Sequence, residues 1–212
     1  MPAADPLRGV LFDLDGTLHD RPATLRRYLE GHARRFRLPA RYSERFIELD
    51  DVGYQSKELV FPQLVGEFAL LHDPGELYRD FLNFAFREPV LMEHARQLLS
   101  ELRMTGLRLG VVTNGSGDKQ RECLAGLDLC HAFDAVVVSE EVRCRKPDEA
   151  IYRLALPAGQ VLFVGDSPLN DVAGPQRAGM RAAWLPGGHP LPAGVIPDWT
   201  LKSLRDLSGL LT

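Results

Sequence analysis

The sequence predicts an α/β protein: a Rossmann-like, doubly wound, mainly parallel sheet with an α-helical cap inserted near its start. Two observations carry this. Short, continuous apolar runs recur along the chain: "GVLFDL" (9–14), "LRLGVVTN" (107–114), "FDAVVVS" (133–139), "VLFVGD" (161–166) and "RAAWLP" (181–186). Strands buried on both faces read this way, and helices connecting parallel strands cover both faces. The interval between the first two runs, by contrast, holds helical periodicity and no obvious strand, which marks it as an insertion.

Taken in order, the run at 9–14 opens the sheet. In "PATLRRYLEGHARRF", Leu25, Tyr28, Leu29, His32 and Phe36 fall three or four residues apart and form one stripe of a helix. Breaks are expected at "LPARYS", "FPQ", "HDPGE" and "EPV". Residues 21–88 are read as the helical cap, and residues 1–20 with 89–212 as the core. "MEHARQLLSELRM" (92–104) is the helix that returns to the sheet. "DKQRECLAGLDL" and "PLNDVAGPQRAGM" are helices between the later strands, and "DWTLKSLRDLSGLL" supplies a last extended piece and a closing helix.

Composition narrows the classes. With 212 residues the chain can bury one good core and carry a second small unit. A hydrophobic share of 45%, 25% charged residues and a net charge of -4 describe a globular protein with no electrostatic footprint for nucleic acid. No apolar stretch approaches the length of a membrane span, and "MPAADPLRG" is too short and polar for a secretory signal, so a cytoplasmic protein is expected. Cys123, Cys130 and Cys144 are an odd set without C-x-x-C spacing, which reads as reduced thiols. A zinc site from Cys130, His131 and Cys144 matches no structural spacing.

Ligands of doubly wound sheets bind beyond the carboxyl ends of the strands. The first run ends in Asp13, Asp15, Gly16 and Thr17, the second in Thr113, Asn114 and Gly115, and the fourth in Gly165, Asp166 and Ser167, with Asn170 and Asp171 close behind. Lys146, before Pro147, follows the third. Two carboxylates side by side at the end of an apolar strand repel unless a cation or proton lies between them. Asp13, Asp15 and Asp166 supply the hard oxygens that Mg²⁺ prefers. Asp13 is then a candidate nucleophile and Asp15 a candidate general acid and base. Thr113 and Asn114 offer donors to phosphoryl oxygens, and Lys146 a point charge. Each piece alone has a plainer reading: "DGT" and "TNG" as turns, Asp166 and Asp171 as helix caps, Lys146 as an exposed lysine.

"DLDGT", "TNG", "KPD" and "GDSPLND" occur in the order and rough spacing of the four motifs of the haloacid dehalogenase superfamily, which the chain resembles over residues 9–185. The resemblance implies Asp13 as the nucleophile that forms an aspartyl-phosphate and Asp15 as the general acid and base. It implies Thr113 and Lys146 as phosphate ligands, Asp166 as a Mg²⁺ carboxylate, and Asp171 as a second acidic position that orients the lysine or a metal-bound water. The helical insertion resembles the cap of the subfamily that includes phosphoglycolate phosphatase and several nucleotidases. Asp15 favours phosphoryl transfer over dehalogenation, because dehalogenases of this architecture usually lack it. The implied function is Mg²⁺-dependent hydrolysis of a small phosphorylated metabolite by a monomer or homodimer. Alternatives are a mutase-like phosphotransferase, a 2-haloacid dehalogenase or a phosphate-binding regulatory protein.

In the cap, "LDDVGYQSKELVF" (49–61) presents Asp50, Asp51, Tyr54 and Lys57, of which Asp51, Tyr54 and Lys57 are the candidate specificity residues. The arginines at 21, 26, 27, 34, 35, 37, 41 and 45 read as a solvated helix face. His19 reads as a loop residue.

Overall fold

The first apolar run becomes the centre of the sheet in the computed structural model, which describes residues 6–156 and 160–210. The start of "MPAADPLRG" and the last residues of the closing helix lie outside the described residues. The strands are β1 (Gly9–Phe12), β2 (Arg108–Thr113), β3 (Ala135–Val138), β4 (Val161–Gly165), β5 (Arg181–Trp184) and β6 (Trp199–Thr200). Among the described residues they form a six-stranded sheet in the order β3-β2-β1-β4-β5-β6, parallel throughout. Alternation along the strands supplies both layers. Val10, Phe12, Leu109, Val111, Leu162 and Val164 pack into one apolar cluster, while Leu11, Val112, Val161 and Phe163 pack into another. Phe12 pairs with Val111 on one side and Val164 on the other, so β1 ends within two residues of the ends of β2 and β4.

By its contacts the chain divides into two units, residues 1–20 with 91–212 and residues 21–90. The second holds helices α1 (Arg21–Phe36), α2 (Tyr42–Asp50), α3 (Lys57–Glu67) and α4 (Pro74–Phe84) around its own core. Leu25, Tyr28, Leu29 and His32 of the α1 stripe are buried, and Phe36 packs partly buried beside them. The break expected at "FPQ" is absent, because α3 runs through Pro62. Burial of Val60, Phe61 and Leu64 on either side of the proline outweighs the lost hydrogen bond.

Two carboxylates lie buried in this unit, each held by cations. Asp80 receives Arg35 at 2.9 and 2.7 Å and the Tyr28 hydroxyl at 2.8 Å, with His32 Nδ1 at 2.7 Å. Burial pushes the Asp80 carboxyl up, but Arg35, His32 and Tyr28 outweigh it and hold the pKa below its ordinary value. The same burial lowers the pKa of His32. Asp50 is held by both Arg21 terminal nitrogens and by Lys57 Nζ at 2.7 Å. Arg21 therefore departs from the solvated face read for the arginines: it is buried, while Arg26, Arg27, Arg34, Arg35, Arg37 and Arg41 are exposed. Counting apolar residues along a helix does not register a cation drawn inward by a buried carboxylate.

The first unit carries α5 (Ala95–Met104), α6 (Gly117–Gly126), α7 (Ser139–Val142), α8 (Glu149–Ala155), α9 (Gly174–Arg177) and α10 (Asp206–Leu210). Helices α5, α6 and α10 cover one face through Leu98, Leu102, Leu124 and Leu207, and α8 covers the other through Ile151 and Tyr152. The segment "PLNDVA" (Pro168–Ala173), expected as ordinary α-helix, is a π-helical turn leading into α9. None of the helices among the described residues is long and apolar enough to cross a membrane.

Asp80→Ala removes the carboxylate acceptor of the buried Tyr28 hydroxyl and His32 Nδ1, while half-exposed Arg35 regains water, a change that costs roughly 1–3 kcal/mol. Urea unfolding followed by circular dichroism should show that loss, and an unchanged midpoint would remove Asp80 from the support of the helical unit.

Candidate active site

At the carboxyl end of β1, Asp13 is held by its backbone N–H on the Val164 carbonyl at 2.9 Å. The chain then turns tightly: His19 N–H donates to Leu14 O at 2.8 Å and Gly16 N–H to His19 O at 2.9 Å. Gly16 has φ +85°, where a side chain is strained, and a Cβ there would collide with the Asp166 carboxylate. Gly165 plays the same part at the end of β4, where a Cβ would occupy the space of the Asp171 carboxyl. These two glycines let the acidic side chains close in.

The π-helical turn aims Asp171 inward. Its N–H donates to Ser167 O at 2.7 Å, and its Oδ2 accepts the Ser167 N–H at 2.8 Å. Asp13, Asp166 and Asp171 each present a carboxylate oxygen within 4.8 Å of the others. Lys146 reaches into this cluster with Nζ 2.6 Å from Asp13 Oδ1 and 2.7 Å from Asp171 Oδ1.

Burial raises the pKa of Asp13 well above the usual carboxylate range; Lys146 opposes that shift, and Asp171 and Asp166 add to it. Burial and then Asp171 push Asp166 up to about 7. Burial works against the Lys146 ammonium, yet the two carboxylates outweigh it and raise its pKa. One ammonium among three carboxylates, Asp13 and Asp171 buried and Asp166 half-buried, leaves a deficit of positive charge, which suits a hard divalent cation.

The structure distributes the sequence candidates unequally. Asp15, read as a third metal carboxylate, is not in the cluster, and Asp171 takes that place. The Asp15 carboxylate is instead engaged by His19 Nδ1 at 2.7 Å on Oδ1 and by Gln120 Nε2 at 2.9 Å on Oδ2. Asn114, expected to face phosphoryl oxygens, spends its amide on the lysine loop. Its Oδ1 accepts the Lys146 N–H at 2.9 Å and its Nδ2 donates to Lys146 O at 3.1 Å. Thr113 is buried, and its hydroxyl accepts from Gln120 Nε2 at 2.7 Å. In the helical unit, Asp51 adopts a left-handed conformation, Tyr54 is exposed, and Lys57 is committed to Asp50. Cys130, His131 and Cys144 form no metal-capable cluster among the described residues.

Gln120 is a site residue that the sequence reading does not name, while His19, read as a loop residue, holds Asp15 from within that loop. Gln120 lies on the inward stripe of α6 with Cys123 and Leu124, and a polar residue on an apolar stripe was the available signal. Its one amide nitrogen serves Asp15, Thr113 and, at 3.1 Å, the Asn114 carbonyl.

Among the described residues the parallel α/β sheet gathers carboxylates around one lysine at its strand ends. The chain belongs to the haloacid dehalogenase-like hydrolase family, whose profile matches residues 10–185. It is 36% identical over 185 residues to a phosphoserine phosphatase of Thermus thermophilus, covering 84% of this chain and 74% of that one. It is 36% identical over 146 residues to the pyrimidine 5'-nucleotidase YjjG of Escherichia coli, covering 66% of this chain and 64% of the relative. Among solved structures, the magnesium-bound HAD-hydrolase YfnB of Bacillus subtilis superposes with a TM-score of 0.81 at 26% identity, over 98% of this chain and 100% of that one.

Removing the Asn114 side chain releases both ends of the Lys146 peptide clamp. In Asn114→Ala, the Lys146 amide should exchange with deuterium at least tenfold faster, which corresponds to about 1.4 kcal/mol of lost protection. Unchanged exchange would show that the loop is held by other contacts.

Proposed function

We propose that this protein is a Mg²⁺-dependent phosphomonoester hydrolase that acts on a small phosphorylated metabolite through an aspartyl-phosphate on Asp13. The observation that carries this reading is the gathering of Asp13, Asp166 and Asp171 within 4.8 Å around Lys146. The relatives support the phosphatase activity by their names, and those names span a phosphoamino acid and nucleotides. A small soluble phosphomonoester is the level at which they agree.

In this reading an Asp13 carboxylate oxygen attacks phosphorus and the bond to the leaving oxygen breaks. Asp15 gives that oxygen a proton. Water then attacks the phosphoryl group on Asp13, giving its proton to Asp15, and inorganic phosphate leaves with Asp13 restored. Lys146 holds the nucleophile by Oδ1 and balances charge on the transferring group. His19 and Gln120 occupy one oxygen each of Asp15 and so fix the direction in which it passes protons. Asp13, Asp166 and Asp171 are the side chains that would hold Mg²⁺, which when bound supplies positive charge to the carboxylates and the phosphoryl oxygens.

The deciding experiment measures phosphate release from a panel of phosphomonoesters, including p-nitrophenyl phosphate, with Mg²⁺ or EDTA. Wild type should turn over only with the metal, and Asp13→Asn should fall by at least a thousandfold while remaining folded. Turnover by folded Asp13→Asn would remove the nucleophile, and metal-independent halide release from a 2-haloacid would replace the reading with dehalogenation.

A second expectation concerns pH. Asp166, raised to about 7, holds a proton below that pH, and the proton competes with a cation. The gain in Tm from Mg²⁺ should therefore be larger at pH 8 than at pH 5.5. At a hundredfold excess over Kd the gain is about 2.7 kcal/mol, or roughly 5–10 °C for a chain of this size. An equal gain at both pH values in a thermal melt would place the cation away from Asp166.

A further inference from the structure

Beside the reacting centre, and wholly within the sheet unit, lies a cavity of about 360 Å³ that no step above uses. Its walls come from Asn114 and Gly115 after β2, Ser139 and Glu140 at the start of α7, and Arg143 and Arg145 in the segment leading to Lys146. We propose that this cavity is a recognition site for a second oxyanion, a carboxylate or phosphate, carried by the leaving group of the substrate. The inference rests on the phosphatase reading and narrows its substrate class.

Charge supports it first. The carboxylates nearby are already committed. Glu141 pairs with Arg121 at 2.6 and 2.8 Å, Glu140 accepts the Gly117 N–H at 2.8 Å, and Asp148 caps α8 through the Ala150 N–H at 3.0 Å. Among the described residues no carboxylate pairs with Arg143 or Arg145, so two unpaired arginines line the cavity beside one carboxylate, Glu140. Guanidinium forks suit carboxylate and phosphate, which they bind through paired hydrogen bonds.

The backbone supports it next. Arg143 sits at φ 53°, a left-handed conformation that favours glycine, and yet carries a long cationic side chain. Continuity with the reacting centre is the third observation. Asn114 lines the cavity while clamping the Lys146 peptide, and its backbone follows directly on Thr113. Through Asn114 this wall adjoins the loop that carries Lys146. Binding energy from such a remote anion can be used to orient the phosphoryl group.

The test compares matched substrates that differ by one anion: 3-phosphoglycerate against glycerol 3-phosphate, and fructose 1,6-bisphosphate against fructose 6-phosphate. Wild type should favour the anionic member of at least one pair tenfold or more in kcat/KM, mainly through KM. The double variant Arg143→Gln, Arg145→Gln should lose at least tenfold on that member and keep its rate on p-nitrophenyl phosphate. Retention of the preference by the double variant overturns the assignment. So does a free tricarboxylate that alters wild-type turnover of glycerol 3-phosphate, but not the variant's, when no substrate preference exists; that outcome makes the cavity an effector site. Hydrolysis of p-nitrophenyl phosphate without any preference defeats the cavity assignment alone, whereas no hydrolysis of any phosphomonoester defeats the phosphatase reading beneath it.

Discussion

The contact between Lys146 and the carboxylates of Asp13 and Asp171 is the constraint on which the rest of this site depends. Three carboxylates within 4.8 Å, two of them buried, repel one another strongly unless positive charge is supplied, and the chain supplies one ammonium. Much of the surrounding construction serves to deliver that group. Asn114 grips the Lys146 peptide from both sides, and the glycines at 16 and 165 remove the Cβ atoms that would hold the acids apart.

The fold makes this economical. Strands β2, β1 and β4 run side by side in one direction and end within two residues of one another, so their following loops open on a common rim. The apolar residues below anchor the strands on both faces, and the polar groups above inherit that rigidity. Asp15 shows what the arrangement adds. Its two oxygens are taken by side chains from two places in the sequence, His19 in its own loop and Gln120 on α6. The same Gln120 nitrogen touches Thr113, so the orientation of the acid and that of the hydroxyl share one hydrogen-bond donor.

The helical unit solves a different problem with the same physics. Its buried carboxylates, Asp50 and Asp80, are compensated by side chains of the unit itself, Arg21 and Lys57 for one, Arg35 with His32 and Tyr28 for the other. Lys57 thus has a structural partner, which limits what else its ammonium can do. In the sheet unit the compensation stays incomplete, and this difference marks where added charge belongs.

The α/β class and the parallel sheet were legible in the sequence because five apolar runs, each too short for a helix, alternate with helical patterns. Burial on both faces leaves that signature regardless of detail. The strand-end positions of Asp13, Thr113 and Asp166 were legible for the same reason, since a polar residue after such a run has to lie on the rim. Tertiary structure decided which carboxylates meet. Asp171 rather than Asp15 joins Asp13 and Asp166, because a π-helical turn, invisible in the residue pattern, rotates it inward. It also decided that Asn114 clamps a loop, that Gln120 reaches Asp15 from 105 residues away, and that Arg21 is buried on Asp50. Each depends on where a side chain far along the chain comes to rest. Local periodicity reports which face of an element is buried and carries no information on the partner it meets there.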